Sequence, residues 1–232
     1  MRYHVGMIPD GNRRWAKEQD LDPWEGHRRG GEKVEMFLDW CADQEGIAEV
    51  TIYLLSEENF KRPLRELGKL YELYEEEFPK LINKETIHQQ RIRVKIISTN
   101  LRPVPRRLTR LFDRIEDETK DYDNKVLNIL IGYTGQAEIL AAISSPFNRI
   151  KNLLFGLSRR DLEKSLEIKN PCDFIIRTGD ESEEREARSG FLLWQSAYAE
   201  YYHINKFFPD VTLDDFNKAW DYFISTKRQK GL

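Results

Sequence analysis

Tyr3-His4-Val5-Gly6-Met7-Ile8-Pro9-Asp10-Gly11-Asn12-Arg13-Arg14-Trp15 reads as a strand, a loop and a helix start in immediate succession. Residues 3–8 form the short apolar run of a buried strand, and Arg13 to Gln19 reads as the first turns of a helix. The loop between them therefore sits at a strand's carboxyl end. In an open α/β sheet ligands bind there, because the amino terminus of the next helix offers unpaired N–H groups to an anion. Asp10 adds a carboxylate, Gly11 permits close backbone approach, Asn12 carries donors and an acceptor, and Arg13 and Arg14 add fixed positive charge. That set suits a metal-bound diphosphate. Pro9-Asp10-Gly11-Asn12 is also ordinary turn chemistry, so the loop alone leaves both readings open.

Further strands end in loops of the same kind. Val50 to Leu55 is a second buried strand, followed by Ser56-Glu57-Glu58-Asn59-Phe60-Lys61-Arg62. Residues 92–97 and 126–131 read as the third and fourth strands, and Cys172 to Ile176 as a fifth that leads into Arg177-Thr178-Gly179-Asp180. Between them, helical spacing places Val34, Phe37, Leu38 and Cys41 on one stripe. Leu67, Leu70, Tyr71, Tyr74 and Phe78 form another, and Leu108, Leu111, Phe112 and Ile115 a third. This alternation predicts an α/β fold with a mainly parallel central sheet flanked by helices, in one domain over residues 1–232. Gly26 to Gly31 reads as a basic, glycine-rich helix entrance where His27 could meet a phosphate or simply face solvent. In the mostly apolar segment Ser189 to Ala199, Phe191 and Trp194 read as core, and the segment ends on Glu200, a carboxylate that must be paired, metal-bound or exposed.

Composition sets outer bounds. Lys plus Arg number 37 against 40 for Asp plus Glu, a net charge of −3, which disfavours nucleic acid as a partner. Cys41 and Cys172 lie far apart with no metal-ligand spacing, as expected of free thiols in a reducing compartment. No apolar run approaches the ~20 residues of a spanning helix, and the amino terminus enters a strand pattern at once, so a cytoplasmic protein is expected. Nucleotide-kinase, dinucleotide, zinc-protease and serine-hydrolase motifs are missing, as is the Asp-Asp-x-x-Asp of all-helical prenyl synthases. Arginine, serine, asparagine and isolated carboxylates at strand ends remain.

Taken in order, Pro9 to Trp15, Gly26-His27, Ser56 to Arg62, Ile176 to Gly179, and Phe191 to Gln195 with Glu200 resemble the signature regions of the cis-prenyltransferases, the undecaprenyl diphosphate synthase family. The resemblance runs from about His4 to the carboxyl terminus. It implies a homodimer, an apolar product tunnel within the α/β domain, Mg2+, and peripheral membrane contact through the lipid product. Isopentenyl diphosphate would add to C1 of an allylic prenyl diphosphate, diphosphate would leave, and a new Z double bond would form. Asp10 matches the essential aspartate that handles Mg2+ and diphosphate; Gly11, Asn12, Arg14 and His27 match the allylic pocket, with Arg62 beside them. Ser56 and Asn59 match positions of substrate orientation and catalysis, and Glu58 shares their motif. Arg13, Trp15 and Phe60 lie within the same blocks and join the substrate-binding set. Arg177 and Ser189 match the isopentenyl diphosphate site, and Glu200 the second carboxylate associated with Mg2+.

The chain departs from the family pattern at several points. Pro23 stands where an arginine precedes the matched histidine, with Arg28 or Arg29 as substitutes. The segment between Arg177 and Ser189 carries roughly four extra residues, leaving either Arg188 or Arg185 as the second acceptor-site arginine. Phe60 replaces a common tryptophan, and the tail Arg228-Gln229-Lys230-Gly231 only approximates the family ending. Leu54 and Leu55 are bulky at a stretch that borders the tunnel, which predicts a short or medium product. Two alternatives stand beside this reading: an irregular condensation or transfer to an acceptor such as an alcohol, and a non-catalytic partner subunit. Intact Asp10 and Asn12 weigh against the last.

Overall fold

The computed structural model describes residues 2–180 and 190–229. Its elements are β1 (Tyr3–Ile8), α1 (Asn12–Glu18), α2 (Pro23–Asp43), β2 (Ile47–Ser56), α3 (Leu64–Ile82), α4 (Glu85–Gln89), β3 (Ile92–Ile97), α5 (Arg106–Thr119), β4 (Lys125–Tyr133), α6 (Gly135–Ser144), α7 (Pro146–Phe155), α8 (Arg159–Ser165), β5 (Phe174–Gly179), β6 (Glu200–Asn205) and α9 (Leu213–Gln229). The strands form one sheet in the order β3-β4-β2-β1-β5-β6. Every neighbouring pair is parallel. The expected fold class is therefore the one observed.

Alternation along the strands feeds two cores. Val5, Met7, Val50 and Ile52 face a large cluster completed by Phe37 of α2, Leu70 and Phe78 of α3, Phe112 of α5, and Phe216 and Phe223 of α9. Tyr53, Leu130 and Ile175 face the other side, where Phe191 and Leu192 pack. Such a doubly covered sheet buries its strands on both faces, which is why they read as continuous apolar runs. Removing one of the fully buried phenylalanines would cost about 3–5 kcal/mol.

The sheet's winding reverses beside β1. The chain passes from β1 to β2 on one side, while β5, the other neighbour of β1, leads to β6 at the edge. Carboxyl ends of strands at such a switch point leave a crevice between loops that diverge in opposite directions. The loop after β1 carries Asp10, and β5 carries Arg177.

Two expectations change here. Gly26 to Gly31 is helix interior rather than an entrance loop, because Pro23 opens α2 in its first turn. Trp194, expected in the core, is only partly buried, on a run of turns that follows residue 190 and leads to β6. Phe191 is nonetheless fully buried, as expected.

Candidate active site

The loop after β1 is fixed by its backbone. The Asp10 carbonyl accepts from the Phe208 N–H at 3.0 Å and from the Thr178 hydroxyl at 2.8 Å. Gly11 has φ +99°, and a Cβ there would lie 2.5 Å from the Phe207 ring, so both conformation and space call for glycine. Held this way, Asp10 Oδ2 accepts from Arg177 Nη2 at 2.8 Å, and Oδ1 accepts from the Gly11 N–H at 2.7 Å. Arg14 Nη2 lies 3.2 Å from Oδ1, and its guanidinium sits over the Phe207 ring. Burial pushes the Asp10 carboxyl upward, but the Arg177 bond and charge, with Arg14 and the Gly11 N–H, outweigh it and hold the group below the usual carboxylate range. Asp10 is ionised at neutral pH.

Asn12 begins α1 and packs into a notch on α2. Its Nδ2 donates to the Pro9 carbonyl at 3.1 Å. A Cβ on Gly26 would meet the Asn12 carbonyl oxygen at 1.9 Å, and one on Gly30 would meet Asn12 Oδ1 at 2.3 Å. Gly26 and Gly30 therefore allow the two helices to touch, while Gly30 and Gly31 also line the cavity.

One turn away, His27 faces Arg62, whose Nη1 lies 3.2 Å from His27 Nε2. An arginine can only donate, so Nε2 accepts and the ring hydrogen is assigned to Nδ1. Burial, then the charges of Arg62 and Arg13, lower the His27 pKa to about 3. The ring is neutral, and the positive potential comes from the arginines. Both arginines converge on buried Glu66, with Arg13 Nε at 3.1 Å and Arg62 Nη1 at 3.5 Å from Oε1. Sequence reading missed Glu66, because Arg62 is extended and stands ahead of α3, so no helical spacing links the two residues.

The loop after β2 is a short 3-10 turn, Glu57–Lys61, closed by a reciprocal cap. Asn59 N donates to Ser56 Oγ at 3.3 Å, and Ser56 N donates to Asn59 Oδ1 at 3.0 Å. Ser56 and Asn59 thus hold one another. Glu58 lies between them in sequence and shares their cavity.

A cavity of about 500 Å3 unites Asp10, Gly11, Asn12, Arg13, Arg14, His27, Ser56, Glu58, Asn59, Arg62 and Arg177. It continues between α2 and α3 past Val34, Leu54, Leu70, Phe78 and Leu81. Its wall includes Leu54 but not Leu55, which is buried in the core. Tyr74 is a second addition beyond the sequence reading: it lines this cavity and donates to the Leu54 carbonyl at 3.1 Å.

Other expected residues lie elsewhere. Trp15 donates to Asp210 Oδ1 at 2.8 Å and anchors α1 instead of lining the cavity. Phe60 packs on Gly132, where a Cβ would stand 2.7 Å from its ring. Arg28 and Arg29 point along the outer face of α2 toward Glu25 and Glu32, so neither replaces the arginine missing at Pro23. Arg185, Arg188 and Ser189 lie outside the described residues. Glu200 opens β6 opposite Phe174, at the start of β5, whereas Asp10 contacts Arg177 and Thr178 near that strand's end. Asp10 and Glu200 of one chain therefore sit toward opposite ends of the sheet and build no common metal site. The physical reason is that β6 runs parallel to β5, which carries the chain away from the crevice before Glu200 is reached.

No group of three or more His, Cys, Asp or Glu side chains among the described residues could hold a metal ion. The carboxylates at the crevice fit Mg2+, which is held by one or two carboxylates together with substrate phosphates and water. Asp10 is the ionised carboxylate at the crevice.

A family model described as "Putative undecaprenyl diphosphate synthase" matches residues 8–231. Curated relatives include tritrans,polycis-undecaprenyl-diphosphate synthase (geranylgeranyl-diphosphate specific) of Methanopyrus kandleri, 37% identical over 98% of this chain and 84% of the relative. The protein of the same name from Thermoplasma acidophilum is 38% identical, over 98% of this chain and 88% of its own. Among solved structures, lavandulyl diphosphate synthase from Lavandula x intermedia, in complex with dimethylallyl diphosphate, superposes with a TM-score of 0.84 at 25% identity. That match covers 95% of this chain and 94% of the other. A probable undecaprenyl diphosphate synthase from Campylobacter jejuni shares the fold, with a TM-score of 0.75 at 24% identity over 95% of this chain and 93% of the other.

Proposed function

The chain belongs to the undecaprenyl diphosphate synthase family of cis-prenyltransferases, and on that premise we propose how its residues divide the work. It is a transferase of prenyl groups that condenses isopentenyl diphosphate with an allylic prenyl diphosphate. C4 of the isopentenyl unit bonds to C1 of the allylic partner, the C1–O bond breaks with loss of diphosphate, and a proton leaves C2 to form the Z double bond.

The observation that carries the assignment of roles is the ionised Asp10 clasped by Arg177 and Arg14 at one mouth of a cavity whose middle passes apolar side chains of α2 and α3. Arg14, Arg62, neutral His27 and Asn12 receive the allylic diphosphate. Arg177 receives the isopentenyl diphosphate, with Ser189 and Arg188 or Arg185. Asp10 would hold Mg2+, which when bound would supply charge to stabilise the departing diphosphate. Positive groups fixed before the substrates arrive need no reorganisation as the leaving group gains charge, which is where the rate gain arises. Ser56 and Asn59, locked by their reciprocal bonds, orient the substrates over that charge.

For the primer we take geranylgeranyl diphosphate, the specificity carried in the names of the archaeal relatives. Leu54 in the cavity wall supports a product of short to medium length. The relatives' names specify an undecaprenyl product, eleven units long. Products dominated by eleven or more units would overturn the short-to-medium length.

A homodimer is supported by an apolar face on α6 and α7, where Leu140, Phe147, Ile150, Leu153 and Leu154 are all more than 60% exposed. Only a second copy could then bring a Glu200 toward the crevice. No helix among the described residues is long and apolar enough to cross a membrane; release of a lipid product favours peripheral contact with one, at a cytoplasmic surface.

The superposition on lavandulyl diphosphate synthase favours a second reading, an irregular condensation with another acceptor. Purified protein with Mg2+ and labelled isopentenyl diphosphate, offered a panel of allylic primers and alternative acceptors, separates the two by product mass. Incorporation into linear Z-chains supports the first; branched products from dimethylallyl diphosphate alone would replace it.

A further inference from the structure

The cavity's far end is built from charge. α2 and α3 leave the crevice side by side, His27 beside Arg62 near their amino ends, and come together again where Lys84, just after α3, reaches Glu35 and Asp39 of α2. From His27 to Asp39 the rise along α2 is roughly 18 Å, so this contact lies well away from the diphosphate pole. Lys84 Nζ donates to Glu35 Oε1 at 2.8 Å and to Asp39 Oδ2 at 2.7 Å.

Behind that contact the apolar space resumes. Leu38, Leu81 and Lys84 line the main cavity and also a second void of about 30 Å3, whose other walls include Ala42, Val50, Ile87, Ile92 and Leu127. Its rear is closed by Lys125, whose ammonium donates to the carbonyls of Cys41, Ala42 and Gln44 at the end of α2. Three side chains therefore separate two apolar spaces that lie along one path.

We propose that Lys84, clamped by Glu35 and Asp39 and flanked by Leu38 and Leu81, is the partition that stops the growing prenyl chain, and so sets product length. The inference rests on the chain-elongating reading above. The methylene stem of Lys84 can pass along apolar walls while its head stays with the carboxylates and water. An incoming hydrocarbon tail cannot replace the two charge-assisted hydrogen bonds that it would have to break to displace the head. Extension ends when the tail reaches this point. The Glu35 and Asp39 side chains are exposed, so opening the partition leaves no buried carboxylate behind.

The test compares the parent with Lys84→Met, which keeps the stem and removes the clamp, and with the double variant Lys84→Ala/Leu81→Ala, which joins the two spaces. Product analysis with isopentenyl and geranylgeranyl diphosphates is expected to shift by at least one isoprene unit toward longer chains in the double variant, with a smaller shift for Lys84→Met. An unchanged distribution from active double variant overturns the proposal.

A second readout needs no turnover: binding of saturated n-alkyl diphosphates of increasing length. Parent affinity is expected to rise a few-fold per buried methylene and then level off, with the break moving to longer alkyl chains in the double variant. A break that stays in place overturns the partition even if the variants are inactive. A parent that makes no polyprenyl diphosphate while the break still moves would refute elongation and leave the partition standing.

Discussion

Arg177 Nη2 on β5 holds Asp10 Oδ2 at 2.8 Å across the point where the sheet's winding reverses. The pair joins the loop after one strand to the body of its neighbour, and it keeps a carboxylate ionised among arginines. A catalytic role for that carboxylate can be separated from a structural one. Asp10→Asn keeps the shape and can still accept a hydrogen bond from Arg177, but it removes the charge. We expect kcat to fall by on the order of 10^2–10^3 while stability drops by about 1 kcal/mol, or ~2–4 °C for a chain of this size. Steady-state kinetics alongside thermal unfolding checks it; parallel collapse of both would make Asp10 a scaffold residue only.

His27 titrates against its neighbours. Its folded-state pKa of about 3 lies below the ordinary 6.5, so between those values the unfolded chain binds a proton that the folded chain refuses. Stability should therefore be lost as pH falls below about 6.5, and Asp10, also depressed, adds to the loss in more acidic solution. Inorganic pyrophosphate beside His27 should raise its pKa and draw in protons on binding. NMR titration of the His27 ring with and without pyrophosphate measures both effects; a ring already protonated at pH 6 in the free protein would contradict them.

Gly26→Ala tests the close approach of α1 and α2. In an open helix the change would stabilise by about 1 kcal/mol. Here the new methyl would lie 1.9 Å from the Asn12 carbonyl oxygen, and overpacking of that kind costs about 1–3 kcal/mol. The clash wins, and because it displaces the diphosphate loop, KM for the allylic substrate should rise along with a lower unfolding midpoint. A more stable variant with unchanged KM would show that the two helices have room to spare.

Leu153→Asp places a charge in the centre of the exposed apolar face of α7. If this face joins two copies, sedimentation should show a dimer for the parent and a monomer for the variant at micromolar concentration, because an unpaired buried carboxylate opposes association. Equal masses for parent and variant would remove this face from the interface.

Much of this architecture is legible in the residues themselves. Continuous apolar strands such as Val50–Leu55 can only belong to a sheet covered on both sides, and the polar clusters after them mark one rim. Glu200 is linked to Mg2+ through the resemblance alone, and nothing in Tyr201-Tyr202-His203 announces the parallel strand that sets it away from Asp10 of the same chain. Trp15 and Phe60 show a related limit, since an aromatic inside a functional block packs as readily behind the loop as toward the ligand. The glycines of α2 look like a phosphate loop until their neighbour, Asn12, is seen filling the notch. The ion pair of Lys84 with Glu35 and Asp39 joins residues more than forty positions apart and has no sequence pattern of its own.

One assay decides whether this chain builds Z-prenyl diphosphates by charge fixed around Asp10. Purified protein is incubated with Mg2+, labelled isopentenyl diphosphate and geranylgeranyl diphosphate, and the products are resolved by mass and double-bond geometry. A ladder of isopentenyl additions with new Z double bonds is expected, absent when EDTA replaces Mg2+ and strongly reduced in Asp10→Asn. New E double bonds, or full activity in Asp10→Asn, would contradict it.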